Sequence, residues 1–212
     1  MLAHHLESGP RIVLDVGCGR GRLPRSWRTH GPGRSDVSFV GIDVLQSRLA
    51  ICQGVYEGVA GVDVRDLWPF ADASFDAVVC EQVIEHFKDG EVEWILSEIT
   101  RVLKPGGLAL IGTPVFSRLL VPLAPLALSL RNAMWPKEEQ HSQHWSLHEL
   151  QGRISAAGLG PVEARGYRMF SLLADGLEDF RWYYQLHSWL GRRFPGWCVE
   201  ATVCARRGFS VS

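Results

Sequence analysis

Several features that would point to a particular partner are missing from this sequence of 212 residues. Lysine and arginine (22 residues) nearly balance aspartate and glutamate (23), so the formal net charge is −1 and no overall positive field favours nucleic acid. No apolar run reaches the ~20 residues that span a bilayer. The first ten residues hold neither a cationic start nor a long apolar stretch, so no signal peptide is expected.

The cysteines are also few, and nothing in their spacing suggests a disulfide framework. They are Cys18, Cys52, Cys80, Cys198 and Cys204, an odd number with no C-x-x-C pair. The chain contains no repeat, no low-complexity segment and no linker that would divide it. The sequence therefore predicts a single domain over residues 1–212 with reduced thiols, typical of a cytoplasmic enzyme.

What the sequence does contain is a glycine-rich turn directly after an apolar strand. The run from Ile12 to Asp15 predicts a short buried strand that ends on a carboxylate, and Gly17, Gly19 and Gly21 follow it. Glycine lets the backbone adopt a positive φ and leaves no Cβ between main-chain N–H groups and a ligand. A strand that leads into such a turn, with a helix behind it, is where an open α/β sheet binds a nucleotide-like ligand.

Two further acids follow at the positions where a nucleoside would need them. Asp43 ends a second β-branched run, Val37–Asp43, and Asp63 stands beside the apolar Val64. A carboxylate at the end of the second strand can accept hydrogen bonds from both ribose hydroxyls, and Asp63 is placed to accept from an adenine amino group. Any one of these acids could be a solvated turn residue, but the ordered set predicts a nucleoside site.

Five segments carry a recognisable pattern: Asp15–Gly21, Gly41–Asp43, Asp63, Leu67–Val79 and Arg101–Pro114. In this order they resemble the class I S-adenosylmethionine-dependent methyltransferases, over about residues 11 to 162. NAD-binding dehydrogenases fit less well, because their third glycine falls later and they lack the Leu-Lys-Pro-Gly-Gly turn. The resemblance implies an α/β fold: a Rossmann-like seven-stranded, mostly parallel sheet with helices on both faces and an antiparallel last strand.

The resemblance also implies which residues surround the cofactor, S-adenosyl-L-methionine. The glycine turn and the residue just past the fourth strand would flank its methionine part, and the later acids would hold its nucleoside. The predicted cofactor-binding residues are Asp15, Gly17, Cys18, Gly19, Asp43, Val44, Asp63, Val64 and Glu81.

Glu85 and His86 form a pair that many relatives share, and two interpretations of it stay open. In one, Glu85 stabilises the N-terminus of a helix opened by Glu81–Phe87, and His86 packs or hydrogen-bonds locally. In the other, the pair belongs to a divalent-metal site resembling that of some small-RNA 2′-O-methyltransferases and quinone-precursor O-methyltransferases. The first glutamate of that pattern is Gln82 here, and hard cations need carboxylate oxygens, so no metal ligand is predicted.

An apolar segment follows the fifth predicted strand. Leu119–Leu130 is almost wholly apolar and is interrupted by two prolines. It predicts a lid-like insertion at about residues 116–145 that covers the substrate and favours a hydrophobic or aromatic acceptor. Simple core packing and a peripheral membrane contact are the alternatives.

Histidines near this segment are candidates for a general base. His144 and His141 precede a helix-start pattern, Ser146 followed three residues later by Glu149. With His86 they form the predicted catalytic set, since imidazole titrates near neutral pH. A base helps methyl transfer only when the acceptor is a hydroxyl, and each histidine could instead order the lid.

The sequence therefore predicts a methyltransferase that acts on a small, partly apolar acceptor, with oxygen as the favoured methyl-accepting atom. Two alternatives remain, a metal-assisted RNA 2′-O-methyltransferase and a cofactor-binding scaffold without turnover. No nucleic-acid partner is expected, and the predicted state is a monomer or a homodimer. The aromatic-rich stretch Phe170–Phe194 is a candidate dimer face or acceptor-stacking surface, and packing against the lid is an equal alternative.

Overall fold

The computed structural model describes residues 1–6, 9, 11–32, 35–115, 145–167 and 181–208. Within them the helices are α1 (Leu2–His5), α2 (Arg22–His30), α3 (Gln46–Cys52), α4 (Asp89–Val102), α5 (Leu147–Ala156) and α6 (Arg181–Arg193). The strands are β1 (Arg11–Val16), β2 (Val37–Asp43), β3 (Gly58–Gly61), β4 (Phe75–Glu81), β5 (Leu103–Pro114), β6 (Leu159–Tyr167) and β7 (Glu200–Arg207). Two short 3₁₀ turns, Ile84–His86 and Pro195–Trp197, complete the set.

The strands form one seven-stranded sheet in the order β3-β2-β1-β4-β5-β7-β6. β1 runs parallel to β2 and β4, and β4 runs parallel to β5. β7 is antiparallel to both of its neighbours, β5 and β6. The predicted mostly parallel sheet with an antiparallel last strand is confirmed.

Successive residues of the central strands face opposite sides of the sheet, and each side carries its own apolar core. In β1, Leu14 packs with Val16 and the apolar face of α4, whereas Val13 packs with the residues of α2 and α3. Because both faces need cover, the central strands are apolar throughout instead of alternating with polar residues. Helices therefore lie on both faces, as predicted.

The segment after β4 differs from the prediction. Glu81–Phe87 was expected to open a helix, but β4 continues through Glu81 and α4 begins only at Asp89. Gln82 has a φ of 57°, in the left-handed region, and its N–H donates to the carbonyl oxygen of Gly112 in β5. The backbone thus stays tied to the sheet for one more residue and then forms a single 3₁₀ turn, so the predicted helix start was wrong.

Helix α3 is shorter than the sequence predicts at both ends, since it begins after Leu45 and stops at Cys52. In the sequence, the helical spacing of Leu45, Leu49 and Cys52 on one face predicts a helix over Leu45–Tyr56. Leu49 and Cys52 are buried, but Leu45 is an extended N-cap residue and is exposed. Its N–H donates to the side chain of Asp43, which fixes the turn between β2 and α3.

The insertion predicted at about residues 116–145 lies outside the described residues except for Trp145. That residue is buried, and it forms an isolated parallel bridge with Val115 at the end of β5. Helix α5 then starts with the predicted cap, in which Ser146 Oγ accepts from the Glu149 N–H and the Glu149 carboxylate accepts from the Ser146 N–H. In the part of the chain that the structure describes, no helix is long and apolar enough to cross a membrane.

Candidate active site

A cleft of about 710 Å³ opens at the carboxyl ends of β1, β2, β3 and β4. Small-molecule sites typically measure about 300–1,000 Å³. The cleft is lined by Gly17, Asp43, Val44, Leu45, Arg48, Val62, Asp63, Val64, Arg65, Gln82, Val83, His86 and Phe87. It thus gathers several of the predicted cofactor residues and one of the predicted catalytic histidines.

The floor of the cleft is the glycine turn after β1. Gly17 and Gly19 have φ values of 68° and 54°, where a side chain is strained. A Cβ added to Gly17 would lie 2.6 Å from Cγ2 of Val83, a residue that also lines the cleft. A side chain at this position would therefore collide with the wall of the cleft.

Asp43 is the acid at the tip of β2, and main-chain donors fix its carboxylate. Oδ2 accepts from the Gly19 N–H at 3.0 Å, and Oδ1 accepts from the Leu45 N–H at 2.9 Å. A carboxylate oxygen has two lone pairs, so each can still accept one hydroxyl. The carboxylate joins the glycine turn to the start of α3 and is held ready to accept from a diol.

Asp63 lies one strand further along the same rim, but its carboxylate is paired with an arginine. The Arg65 guanidinium donates to both oxygens, at 2.9 Å to Oδ1 and 2.6 Å to Oδ2, and the Arg65 N–H also donates to Oδ1 at 3.0 Å. These hydrogen bonds lower the pKa of Asp63 to about 2. Val64, the next residue, is buried and forms part of the apolar wall.

Four of the predicted cofactor residues do not line this cleft: Asp15, Cys18, Gly19 and Glu81. Asp15 is buried and accepts a hydrogen bond from the Tyr56 hydroxyl. Cys18 is buried against Gly41 of β2, and a Cβ added to Gly41 would lie 2.9 Å from the sulfur of Cys18. Both side chains therefore lie in the protein interior next to the glycine turn. Their assignment as cofactor residues stays a prediction.

Glu81, the last of these four residues, projects from the end of β4 toward β7. Its Oε1 accepts from the Thr202 hydroxyl at 3.4 Å, and desolvation raises its pKa above the usual range. A Cβ on Gly112 of β5 would lie 3.1 Å from Cγ of Glu81, so the side chain packs across the neighbouring strand. Its predicted contact with the methionine part of the cofactor stays a prediction.

The buried position of Asp15 gives a testable dependence of stability on pH. Burial raises the pKa of this carboxyl to about 7, and the Tyr56 hydrogen bond only partly offsets the effect. Between its ordinary pKa near 4 and pH 7 the folded protein holds a proton that the unfolded chain releases, so stability falls as pH rises. We expect the free energy of unfolding to drop by about 2 kcal/mol between pH 5 and pH 7 through this group.

Chemical denaturation of the wild type and of Asp15→Asn at several pH values measures this contribution. The amide keeps an acceptor for Tyr56 but cannot titrate, so the stability of the variant should depend less steeply on pH. Parallel curves for the two proteins between pH 5 and pH 7 would contradict the expectation.

Glu85 and His86 are neighbours in sequence, but Glu85 is buried and His86 is exposed. Glu85 is 1% exposed, and its Oε2 accepts from the Thr113 hydroxyl of β5 at 3.2 Å. Desolvation raises the pKa of Glu85 above its usual range. His86 is exposed and lines the cleft. The interpretation of Glu85 as a dipole partner at the start of an α-helix is wrong, because the local structure is a 3₁₀ turn and the side chain is buried beneath it.

Among the residues that the structure describes, no group of three or more histidine, cysteine, aspartate and glutamate side chains is arranged to hold a metal ion. The other two catalytic candidates, His141 and His144, lie outside the described residues. Of the three predicted catalytic histidines, His86 lies within the described residues, and it lines the cleft.

Sequence reasoning missed the two arginines of the cleft. Arg48 follows Asp43 by five residues, and its guanidinium lies 3.7 Å from that carboxylate. Arg65 follows Asp63 by two residues and pairs with it as described above. The spacing Asp-x-Arg in a turn was the available signal for Arg65. Nothing local marks Arg48, because the β2–α3 turn brings it back to Asp43.

Comparison with known proteins agrees with this geometry. A family model described as a methyltransferase domain matches residues 14–111, which include the glycine turn and both rim acids. A protein of Mycolicibacterium smegmatis named "Probable S-adenosylmethionine-dependent methyltransferase" is 32% identical over 200 residues, which cover 87% of this chain and 71% of the relative. The chain belongs to the class I S-adenosylmethionine-dependent methyltransferases.

Two further proteins are similar to this methyltransferase over most of its length. The ubiquinone biosynthesis O-methyltransferase of Chromobacterium violaceum is 29% identical over 189 residues, 83% of this chain and 78% of the relative. The solved structure of a methyltransferase from Archaeoglobus fulgidus superposes with a TM-score of 0.63 at 19% identity, covering 94% of this chain and 87% of that one. The superposition with the Archaeoglobus fulgidus structure supports the assignment of the fold.

The cleft has the features that S-adenosylmethionine requires. Gly17 leaves the floor of the cleft without a side chain, and the carboxylates of Asp43 and Asp63 supply hydrogen-bond acceptors among the lining residues. Val44, Val62 and Val64 supply an apolar wall for a flat base. The residues present thus fit the cofactor that the family uses.

Proposed function

We propose that this methyltransferase methylates a hydroxyl oxygen of a small, partly apolar acceptor, with His86 as the general base. The observation that carries the proposal is the position of His86, which lines the same cleft as Gly17, Asp43 and Asp63. Val83 and Phe87 line it too, and neither can take a proton. An imidazole among apolar side chains suits an acceptor that is apolar except for the group that reacts.

The similarity to an enzyme named as an O-methyltransferase of ubiquinone biosynthesis supports oxygen as the accepting atom. Phenolic hydroxyls are weak nucleophiles until their proton is removed, so a base increases the rate of their methylation. The predicted apolar lid and the histidines His141 and His144 belong to the same proposal, as cover and as further base candidates.

In the proposed reaction, Asp43 holds the ribose hydroxyls, Asp63 the adenine amino group, and the Gly17 turn the methionine part. S-adenosylmethionine supplies a methyl group made electrophilic by its positively charged sulfur. His86 accepts the hydroxyl proton while the new oxygen–carbon bond forms and the sulfur–carbon bond breaks, with the bonding electrons left on sulfur. The chain's main task is alignment, since the displacement is in line and holding both reactants supplies much of the rate.

The test is a survey of acceptors, measured as formation of S-adenosylhomocysteine. Catechols and phenols that carry an alkyl chain are expected to turn over, whereas matched amines and a short RNA oligonucleotide are not. His86→Gln is expected to lower kcat by about 10²-fold or more with phenols, the scale of general-base catalysis, while cofactor affinity stays unchanged. His148→Gln, an exposed histidine on α5, is the control and should retain full activity.

Two outcomes would contradict the proposal. Turnover of the amines but not the phenols would remove oxygen as the acceptor. Full activity of His86→Gln on phenols would remove His86 as the base, and His141→Gln and His144→Gln in the same assay would then test the other predicted candidates. Repeating the assay in excess chelator tests the metal-assisted alternative, because a metal-dependent enzyme would lose its activity under these conditions.

A further inference from the structure

Arg65 lines the cleft beside Asp63, the residue proposed to bind adenine, and its guanidinium pairs with that carboxylate. Its guanidinium binds Asp63 through two side-chain hydrogen bonds, so both carboxylate oxygens are engaged. The guanidinium also lies near a second acid, with Nη1 3.7 Å from Oε1 of Glu91 in the first turn of α4. Arg65 lines the cleft and is 54% exposed, so it has room to move.

The proposed role of Asp63 creates a conflict with this pairing. An adenine amino group that donates to Asp63 approaches the same oxygens that accept from the guanidinium. Oδ1 already accepts from both the Arg65 main-chain N–H and Nε, so the amino group either displaces one of the guanidinium bonds or shares Oδ2 with Nη2. In both cases it competes with Arg65 for the carboxylate. Glu91 offers the displaced guanidinium another carboxylate at close range, so the positive charge need not be left without a partner.

We infer that Arg65 is a specificity-determining residue of the cofactor site: it competes with the adenine amino group for Asp63 and transfers to Glu91 when the cofactor binds. This inference rests on the cofactor placement proposed above and adds a regulator of affinity to it. Arg65 lowers the affinity for any ligand that needs Asp63 and leaves unaffected a ligand that does not.

The structure also bounds the size of the effect. The pair is at the surface, where ion pairs contribute little because solvent screens them. The expected change in affinity is therefore modest, about three- to fivefold. The sign of the change and its dependence on the ligand are the diagnostic features.

The experiment is calorimetric titration of the wild type and Arg65→Gln with two ligands. One is S-adenosylhomocysteine, and the other is its analogue with an unsubstituted purine, which lacks the 6-amino group. Arg65→Gln should bind S-adenosylhomocysteine three- to fivefold more tightly and bind the analogue with the wild-type Kd. Arg48→Gln is the matched control, because it removes the same charge from the ribose side of the cleft. That variant should change the Kd of both ligands by the same factor.

A second arm tests the transfer to Glu91. Glu91→Gln removes the alternative partner, so S-adenosylhomocysteine should bind about two- to threefold more weakly, and the change should vanish when Arg65→Gln is also present. Since Glu91 also caps α4 by accepting from the Lys88 N–H, the double variant separates the two roles. A loss of affinity that persists in the double variant would overturn the transfer.

The outcomes that would overturn the inference differ from those that would overturn the cofactor placement. Weaker binding of S-adenosylhomocysteine to Arg65→Gln, or equal changes for the two ligands, would overturn the role of Arg65 and leave the cofactor assignment standing. An Asp63→Ala variant that binds S-adenosylhomocysteine as tightly as the wild type would remove the adenine role of Asp63, and the inference with it. Neither result depends on methylation of any acceptor.

Discussion

Replacing Gly17 with alanine is expected to abolish measurable binding of S-adenosylhomocysteine while the fold is retained. Two physical effects coincide at this position. The φ of 68° is strained for any residue with a Cβ, and the added methyl would stand 2.6 Å from Cγ2 of Val83. Relief of this contact moves either the turn or Val83 into the space of the ligand. We expect the Kd to rise by at least 100-fold by calorimetry.

Gly54→Ala provides the matched control for this change. Gly54 has a φ of 75°, but an added Cβ would meet nothing within 4 Å. Both variants should therefore lose about 1–2 kcal/mol of stability from backbone strain, and only Gly17→Ala should lose ligand binding. Adding Val83→Ala to Gly17→Ala removes the atom that clashes and should restore part of the affinity. Wild-type affinity in Gly17→Ala alone would show that the turn does not approach the ligand.

Replacing Asp43 with alanine is the second change expected to have a large effect on cofactor binding. A hydrogen bond to a charged group contributes about 1.5–3 kcal/mol, which corresponds to about a 10- to 150-fold rise in Kd. The structure adds a further reason, since this carboxylate also holds the N–H groups of Gly19 and Leu45. Its loss frees the glycine turn as well as removing the acceptor of the ribose hydroxyls.

Calorimetry with Asp43→Ala, Asp43→Asn and a charge-matched control separates these contributions. The asparagine variant keeps one acceptor oxygen and should lie between the wild type and the alanine variant. Asp66→Ala removes the same charge from an exposed position outside the cleft and should bind as the wild type does. An unchanged Kd in Asp43→Ala would exclude the ribose role.

The sequence predicts the parts of this site that depend on the ends of strands. Asp43 and Asp63 follow apolar runs, and because neighbouring parallel strands end at the same edge of the sheet, two acids far apart in sequence meet at one cleft. Gly17 could be predicted for a related reason, since a turn between a buried strand and a helix needs a positive φ. These features follow from local patterns and from the strand order of the fold.

The parts that the sequence did not predict depend on partners that no local pattern specifies. Asp15 binds Tyr56, 41 residues further along the chain, which explains why a residue of the turn motif is buried behind the cleft. Gln82 adopts a left-handed conformation that glycine usually supplies, so the break before α4 has no glycine to mark it. The partners of Glu81 and Glu85 come from β7 and β5, and their environments could be known only after the strands were assembled.

The strand order also limits how the sheet can assemble during synthesis. β7 is made after β6 yet lies between β5 and β6, and among the described strands it is the neighbour of β5 on that side. Until residues 200–207 have left the ribosome, β5 is an unpaired edge and β6 has no place in the sheet. Such an edge is a template for pairing with other chains. We therefore expect the nascent protein to be vulnerable to aggregation until residues 200–207 emerge.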